Sequence, residues 1–250
     1  GDEVYARPPE TRIGTFAERI AVHQDALALK PANLDMTQAA SIPLSALTAW
    51  QVLVTSAQLK PGQKVLIHAG SGGVGTLAIQ LAKHLGAYVA TTTSSANVEW
   101  LKALGADRVI DYTRQDFASE LHDYDLVLNS LGADVLEKSI KVLKPGGQLI
   151  SISGPPTAEF AQEQGLSWGL RQVMRLLSSG VRRKARKQGV NYRFLFMRAD
   201  GGQLRAITSL IEAGAIKPVI DRLFPFEQTV DALRYVEQGR AKGKVVVTVR

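Results

Sequence analysis

The sequence predicts an α/β fold built on a doubly wound parallel sheet, and three observations support this. A short apolar run, Val65–Ala69, is followed by a glycine-rich turn and then by Thr76–Leu85, whose apolar residues recur at helical spacing. Further β-branched runs alternate with helical patterns. Turn-forming Gly, Pro and Asp residues separate them. Strands that alternate with helices pair in parallel, with both faces of the sheet covered.

Each element of this sheet has its own local signal. The first strand follows the turn Pro61–Gly62, and its helix ends at Gly86, where a C-cap glycine belongs. The β-branched run Tyr88–Thr93 is typical of a second strand. Shorter patterns predict the helix Asn97–Leu104, the strands Arg108–Tyr112 and Leu126–Leu128, the helix Asp134–Leu143 and the strand Gln148–Ser153.

The glycine-rich turn after the first strand carries the strongest functional signal. Gly70 is predicted to permit the tight bend, Gly72 to let the backbone approach a pyrophosphate, and Gly75 to let the helix pack closely on the strand. Gly73 is expected to open the loop further. The N–H groups at the helix start favour an anionic ligand. A plain tight turn is the alternative, but the strand–turn–helix context favours a dinucleotide.

The end of the second strand predicts which dinucleotide binds. NAD-binding folds carry an Asp or Glu there for the adenosine ribose, whereas Thr92–Asn97 contains no carboxylate and Glu99 is the first one. Hydroxyl and amide groups can donate hydrogen bonds to a 2′-phosphate, which a carboxylate would repel. The sequence therefore predicts NADP(H). The alternative is a Ser/Thr-rich loop that caps the next helix.

Several further motifs occur in order along almost the whole chain: Gly1–Ala6, Ala39–Trp50, Leu104–Asp107, Ile110–Tyr112, Leu143–Gly147, Ile216–Ile220 and Gly243–Val246. With the glycine turn between them, they resemble the zinc-independent quinone oxidoreductases of the medium-chain dehydrogenase/reductase superfamily, the group that includes the zeta-crystallins. The resemblance implies a Rossmann-type nucleotide domain together with a GroES-like, β-rich catalytic domain.

The resemblance also implies a set of cofactor-binding residues at the carboxyl ends of the strands, where ligands of such sheets collect. Ser71–Val74 would contact the pyrophosphate, Ser94 would lie near the 2′-phosphate and Tyr112 against the adenine. The nicotinamide would be approached by Thr48, Leu131, Ser153, Gly154 and Phe194–Phe196. A buried strand is an equally good interpretation of the two phenylalanines. The predicted residues are Thr48, Gly70, Ser71, Gly72, Gly73, Val74, Gly75, Thr93, Ser94, Asn97, Tyr112, Leu131, Ser153, Gly154, Phe194 and Phe196.

A metal site is not expected in this chain. Zinc alcohol dehydrogenases of the superfamily carry a four-cysteine lobe where this sequence has only the loop Arg7–Gly14, and Leu44 stands where they have a cysteine ligand. The chain contains no cysteine, and its four histidines occur singly, without the spacing of metal ligands. Each histidine is therefore expected to be a surface or packing residue.

The resemblance divides the chain into three segments. Residues 1–46 would be a remnant of the catalytic domain, 47–195 the NADP-binding Rossmann domain, and 196–250 a return to the catalytic domain. Because the sequence enters within a family motif at Gly1, much of the N-terminal catalytic domain is expected to lie outside it. The complete protein is expected to form a homodimer.

Composition limits the partners that we expect. The 250 residues are 45% hydrophobic, lack cysteine and contain no signal peptide or membrane-span pattern, which favours a cytoplasmic protein without a membrane partner. The net charge is +7, and much of it lies in the run Arg182–Lys187. A solvated surface that attracts anionic NADPH is favoured there over nucleic-acid binding, because no aromatic-rich surface accompanies the run.

The leading functional hypothesis is hydride transfer from NADPH to a quinone. An enone or 2-alkenal double-bond reductase is the alternative within the same class. A different class would be an NADP(H)-binding sensor or structural protein with little turnover. Without a metal, catalysis would rest on positioning and on hydrogen bonds to the developing oxyanion. The sequence identifies no proton donor.

Overall fold

The computed structural model describes residues 1–9 and 14–249, so the predicted loop Arg7–Gly14 falls partly outside the described residues. The strands of the described part are β1 (Val4–Ala6), β2 (Leu27–Leu29), β3 (Lys64–Ile67), β4 (Tyr88–Thr93), β5 (Arg108–Asp111), β6 (Tyr124–Asn129), β7 (Leu143–Ser151), β8 (Asn191–Phe194), β9 (Ile220–Pro225) and β10 (Lys244–Thr248).

Helices follow most of these strands. They are α1 (Met36–Ala40), α2 (Pro43–Trp50), α3 (Gly73–His84), α4 (Val98–Ala103), α5 (Phe117–Glu120), α6 (Ala133–Val142), α7 (Ala158–Glu163), α8 (Trp168–Leu177), α9 (Ser179–Lys187), α10 (Gly201–Glu212) and α11 (Thr229–Glu237). No helix of the described part is long and apolar enough to cross a bilayer.

A six-stranded parallel sheet confirms the predicted fold class. Its order is β5-β4-β3-β6-β7-β8, so the first strand of the sheet lies in the middle and the order reverses between β3 and β6. This is the doubly wound order of Rossmann-type folds, which bind ligands beyond the carboxyl ends of the strands at that reversal. Leu66, Val127 and Leu149, on three neighbouring strands, are fully buried, as expected where helices cover a parallel sheet.

The structure divides into two compact units. The sheet unit comprises 52–70 and 82–196 and holds the six-stranded sheet. The mixed unit comprises 1–51, 71–81 and 197–250. It holds the antiparallel pair β1–β2, the parallel pair β9–β10 and the helices α1, α2, α10 and α11. Within it the Tyr5 hydroxyl donates to the Leu204 carbonyl (3.0 Å), which ties β1 to α10.

Local signals placed most elements of the sheet unit closely. β4 has the predicted bounds. Gly86 follows the end of α3 and has the left-handed φ of 78° that is expected of a C-cap glycine. β7 begins earlier than predicted, at Leu143, because Leu143, predicted as the end of a helix, pairs with Tyr124 of β6. The basic run Arg182–Lys187 is helical and belongs to α9.

Candidate functional site

The chain leaves β3 through a strained residue. Ala69 has a φ of 52°, in the left-handed region that an alanine adopts only at a cost of about 1–2 kcal/mol. Its N–H donates to Thr92 Oγ1 (3.2 Å), and the next N–H, of Gly70, donates to the Thr92 carbonyl (3.0 Å). Ala69 is thus the left-handed residue of the bend, held by these two bonds to β4, and Gly70 follows it in the turn.

A buried imidazole completes this corner. His68 is 1% exposed, and its Nδ1 lies 3.1 Å from Thr92 Oγ1 and its Nε2 2.9 Å from Ser139 Oγ. The Ser139 hydroxyl donates to the Val135 carbonyl, so it accepts from Nε2–H, and Nδ1 accepts from the Thr92 hydroxyl. Burial lowers the pKa of His68 to about 3, which keeps the ring neutral. His68 is therefore a packing residue that orients Thr92.

Beyond β4, a loop presents the residues predicted for the 2′-phosphate. Ser94 Oγ accepts a hydrogen bond from Asn97 Nδ2 (3.1 Å), and Asn97 Oδ1 accepts one from Trp100 Nε1 (3.0 Å). Asn97 is 9% exposed, so it holds Ser94 in place rather than facing solvent. The hydroxyl proton of Ser94 has no acceptor in the described part of the chain. Tyr112 is exposed, and its N–H donates to the carbonyl of buried Thr93 (3.0 Å).

A carboxylate that was not predicted as a site residue lies at this edge. Asp111 ends β5 beside Thr93. The hydroxyls of Ser95 (2.5 Å) and Thr113 (2.7 Å) donate to it and hold the pKa of the carboxyl below its usual value. The Arg114 Nε atom lies 3.7 Å from Asp111 Oδ2. The signal was an Asp two residues before a Thr at a strand end, which is typical of an Asx turn. The ionised group therefore fixes the loop that follows β4.

At the ends of β6 and β7, three predicted residues come together. Asn129 Nδ2 donates to the Leu131 carbonyl (2.9 Å) and to Ser151 Oγ (3.1 Å). The Ser153 hydroxyl donates to the same Leu131 carbonyl (2.8 Å), and the Gly154 N–H donates to Ser151 Oγ (2.8 Å). Asn129 Oδ1 is buried and has no partner among the described residues. This edge therefore keeps one unsatisfied acceptor.

Packing explains Gly154 and separates the two phenylalanines. A Cβ on Gly154 would lie 2.7 Å from Tyr192 Oη and 2.8 Å from Ser151 Oγ, so a larger residue would force one of these side chains to move. Phe194 ends β8 and stacks edge-on against Phe160, with ring centroids 4.9 Å apart. Phe196 lies beyond the strand and is 45% exposed. Phe194 therefore packs against Phe160, and the Phe196 ring, whose centroid lies 6.5 Å from that of Phe160, stays partly exposed.

The glycine turn continues in the mixed unit. Gly72 pairs with Gly243 in an isolated parallel bridge, and the Gly243 N–H donates to the Ser71 carbonyl (2.7 Å). A Cβ on Gly73 would lie 2.6 Å from Lys244 Cδ. The expectation that Gly73 opens the loop was wrong, because Gly73 begins α3 and admits the Lys244 side chain. Lys244 belongs to a segment far along the chain, so no local pattern around Gly73 predicts this contact.

The start of α3 offers backbone donors. The first intrahelical bond runs from the Thr76 N–H to the Gly72 carbonyl (3.0 Å), so the N–H groups of Gly73, Val74 and Gly75 have no carbonyl within the helix to bind. Thr48, also in the mixed unit, is buried, and its hydroxyl donates to the Leu44 carbonyl (2.7 Å). The hydroxyl proton of Thr48 is therefore used within its own helix.

The described residues do not form a metal site. Over 1–9 and 14–249, no group of three or more His, Cys, Asp or Glu side chains is arranged to hold a metal ion. The residues present therefore do not fit a catalytic zinc, and we derive no step through a metal.

Comparison with known proteins assigns the family. The family model described as zinc-binding dehydrogenase matches residues 104–247. The mitochondrial NAD(P)H oxidoreductase of Mus musculus is 38% identical over 261 residues, which cover 100% of this chain and 65% of that protein. The chloroplastic NADPH-dependent alkenal/one oxidoreductase of Arabidopsis thaliana is 35% identical over 99% of this chain and 58% of its own length.

Solved structures agree with this assignment. A quinone oxidoreductase from Coxiella burnetii superposes with a TM-score of 0.86 at 33% identity, covering 100% of this chain and 73% of its own. An alcohol dehydrogenase superfamily protein from Novosphingobium aromaticivorans gives a TM-score of 0.81 at 32% identity over 100% of this chain and 76% of its own. The chain spans less than two thirds of the two curated relatives. The predicted resemblance is confirmed: the chain belongs to the zinc-binding dehydrogenase family, within the medium-chain dehydrogenases/reductases.

Proposed function

We propose that the protein is an oxidoreductase that binds NADP(H) and reduces a conjugated carbonyl compound. One observation carries this proposal. β3 lies at the reversal of the strand order, and the chain runs from it through a glycine turn into the start of α3, whose first N–H groups have no partner within the helix. Such a turn suits a diphosphate, because backbone donors and the helix dipole favour anions. The relatives named above are oxidoreductases.

The polar atoms at the strand ends support a nicotinamide dinucleotide as the cofactor. Most of them are used in internal hydrogen bonds, but Asn129 Oδ1 and the Ser94 hydroxyl proton are not. Ser71–Gly75 would hold the diphosphate, Ser94 and Tyr112 the adenosine end, and Leu131, Ser153 and Gly154 the nicotinamide end. Thr48 and Phe196 complete the proposed set. When bound, the cofactor supplies the hydride.

We further propose that the cofactor is NADP(H) rather than NAD(H). No carboxylate ends β4, and Ser94 keeps a hydroxyl proton that a 2′-phosphate would accept. Asp111 does carry charge nearby, but its oxygens already accept hydrogen bonds from Ser95 and Thr113. It therefore acts on the cofactor through the position of the loop. Asn97, which we predicted as a direct contact, is now proposed to fix the Ser94 hydroxyl.

The chain's own residues would then act by binding and orientation. The turn and the first N–H groups of α3 would fix the diphosphate, and the hydrogen-bonded ends of β6 and β7 would hold the nicotinamide end in one position. Orientation of this kind alone lowers a reaction barrier substantially. None of the described side chains stands out as a proton donor, so we assign no catalytic acid.

Two substrate classes are supported by the relatives' names. The Coxiella burnetii protein is a quinone oxidoreductase, and the Arabidopsis thaliana protein is an alkenal/one oxidoreductase. A stopped-flow experiment with the complete protein, NADPH and panels of quinones and 2-alkenals would decide between them. Saturable loss of NADPH absorbance with one panel would assign the substrate class. NADPH binding without turnover in either panel would favour the sensor or structural alternative.

The domain division 1–46, 47–195 and 196–250, a homodimeric complete protein and a cytoplasmic location belong to the same proposal. The lack of cysteine supports a reducing compartment. The relatives' names place two of them in mitochondria and chloroplasts. Light scattering and fractionation of the tagged complete protein would test the oligomeric state and the location.

A further inference from the structure

Helix α9 in the sheet unit has two unlike faces. Val181 and Ala185 are buried and belong to the hydrophobic core of that unit. The spacing i, i+3, i+4, i+7 puts a different set of residues together on another side of the helix: Ser179, Arg182, Arg183 and Arg186. Because packing fixes the backbone of α9, these cations are presented from an ordered helix rather than from a mobile tail.

The cations of α9 line one cavity together with a residue from the last turn of α8. The cavity has a volume of about 430 Å³. Its lining consists of five cationic side chains and one serine: Arg175, Ser179, Arg182, Arg183, Arg186 and Lys187. Residues 168–187, which form both helices, contain no Asp or Glu. A cleft lined by one sign of charge raises the local concentration of ions of the opposite sign.

Neighbouring elements neutralise little of this charge. Glu159 of α7 pairs with Arg182 (3.0 Å). In the part of the chain that the structure describes, no carboxylate forms an ion pair with the other four cations of the lining, Arg175, Arg183, Arg186 and Lys187. Five cations against one carboxylate leave about four positive charges for a ligand to neutralise.

We propose that this cavity binds a compact soluble polyphosphate, such as the phosphate chain of a nucleoside triphosphate. Arginine suits phosphate because its planar guanidinium can donate two parallel hydrogen bonds to two phosphate oxygens. A terminal phosphate carries about 1.5 to 2 negative charges, so two or three linked phosphates match about four cations. This inference does not depend on the proposed reaction.

The shape and composition of the lining favour a compact ligand over RNA. Single-stranded RNA follows an extended basic groove and stacks its bases on aromatic side chains, whereas these cations surround one cavity and none of the lining side chains is aromatic. Trp168 lies on the same side of α8 as Arg175, but two helical turns before it and outside the lining. Its ring is 75% exposed, so a substitution of Trp168 tests the RNA alternative.

The exposed apolar side chains of α8 take no part in this site. Leu170, Val173 and Leu177 are spaced i, i+3, i+7, which puts this apolar face on the opposite side of the helix from Arg175. A polyphosphate has no apolar surface to bury there. Leu177→Ser should therefore leave its affinity unchanged.

Isothermal titration calorimetry of the complete protein with inorganic tripolyphosphate at low salt tests the proposal. We expect saturable binding that weakens as salt is added. The double variant Arg183→Gln with Arg186→Gln should lower the affinity roughly a hundred-fold, because each substitution removes charge-assisted hydrogen bonds worth about ten-fold. The two single variants, at about ten-fold each, give the same test if circular dichroism shows that the double variant does not fold.

Matched controls remove the same charge outside the cavity. Lys184 is on the same helix, but it pairs with Glu137 (2.6 Å) and does not line the cavity. Lys60→Gln with Arg240→Gln removes two charges from exposed positions in other elements. Lys184→Gln and this double control should each stay within about three-fold of the parent affinity, since salt screens distant exposed charges.

Four results would overturn the proposal. One is the absence of tripolyphosphate binding at low salt, and another is an arginine variant that loses no more affinity than the controls. An affinity for sulfate equal to that for tripolyphosphate would show that the cavity only gathers counterions. An oligouridylate that binds more tightly than tripolyphosphate, and that loses affinity with Trp168→Ala, would overturn the proposal in favour of RNA.

Discussion

Two regions hold the residues proposed for the cofactor, and they are built in opposite ways. At the strand ends of the sheet unit, polar side chains such as Asn97, Asn129 and Asp111 bind mainly one another or nearby backbone. In the glycine turn of the mixed unit, side chains are missing, and Gly72 and Gly73 admit neighbouring backbone and Lys244. The strand ends can select a ligand through the few polar atoms that lack a partner among the described residues. The glycine turn would bind its ligand through backbone N–H groups that no side chain obstructs.

The largest effect should come from filling the glycine turn. Gly72→Val is expected to weaken NADPH binding about 1,000-fold, or roughly 4 kcal/mol, because its side chain would occupy the space of the diphosphate. Fluorescence titration would measure the affinity, and circular dichroism would check the fold. Gly180→Val, at an open helical position of α9, is the matched control. An unchanged affinity in folded Gly72→Val protein would remove the turn from the proposed site.

Filling the strand ends should instead cost stability. Gly154→Ala places a Cβ within 3 Å of Tyr192 Oη and Ser151 Oγ, so we expect a loss of about 3 kcal/mol in the free energy of unfolding. Urea denaturation would measure it. Gly132→Ala, which has nothing within 4 Å of its Cβ, should stay within about 0.5 kcal/mol of the parent. Equal stability of the two variants would mean that this edge yields easily.

The buried imidazole should make the sheet unit sensitive to acid. The pKa of His68 is about 3 in the folded protein and 6.5 ordinarily, so between these values the unfolded chain binds a proton that the native one does not. Above pH 6.5, His68 therefore does not lower the free energy of unfolding. Below that pH, the free energy of unfolding falls by about 1.4 kcal/mol per pH unit, or about 2 kcal/mol by pH 5.

Urea unfolding at pH 7 and pH 5 would show this loss. The control His68→Leu is less stable at both pH values, because Thr92 and Ser139 lose their partner, but its decline between them should be smaller by the same 2 kcal/mol. A parallel decline in both proteins would show that His68 is not the titrating group.

The smallest effect should separate the two cofactors. Ser94→Ala removes the one hydroxyl proposed to donate to the 2′-phosphate, so NADPH affinity should fall about ten-fold, or roughly 1.4 kcal/mol, with NADH affinity unchanged. Ser119→Ala, at an exposed position on α5, is the matched deletion and should leave both affinities unchanged. Parallel losses for NADPH and NADH in Ser94→Ala would contradict the assignment of NADP(H), and so would a parent protein that binds both equally.

Residues with strong local preferences were predictable from sequence, and those placed by distant partners were not. The β-branched run Tyr88–Thr93 and the C-cap Gly86 depend on neighbouring residues alone, and both were predicted correctly. Ala69 has no intrinsic preference for a positive φ, so its conformation follows from the bonds to Thr92. Lys244 reaches Gly73 through the fold alone. No pattern within a short window encodes such contacts.

The apolar face of α8 was missed for a different reason. Periodicity reports that a helix has an apolar side but not whether anything covers that side. From sequence alone, we interpreted Arg182–Lys187 as a solvated, charged surface. In the structure, Leu176 and Leu177 of α8 are 73% and 62% exposed.

The bridge between Gly72 and Gly243 also has a consequence for synthesis. A ribosome releases the β3–α3 segment long before it reaches β10, so during translation Gly72 lacks its bridge partner and the Ser71 carbonyl lacks the Gly243 donor. The sheet strands β3–β8 all emerge before that point. Domains form as their segments leave the ribosome, so the nascent chain should gain its sheet first. The turn takes its final shape only as the last strand arrives.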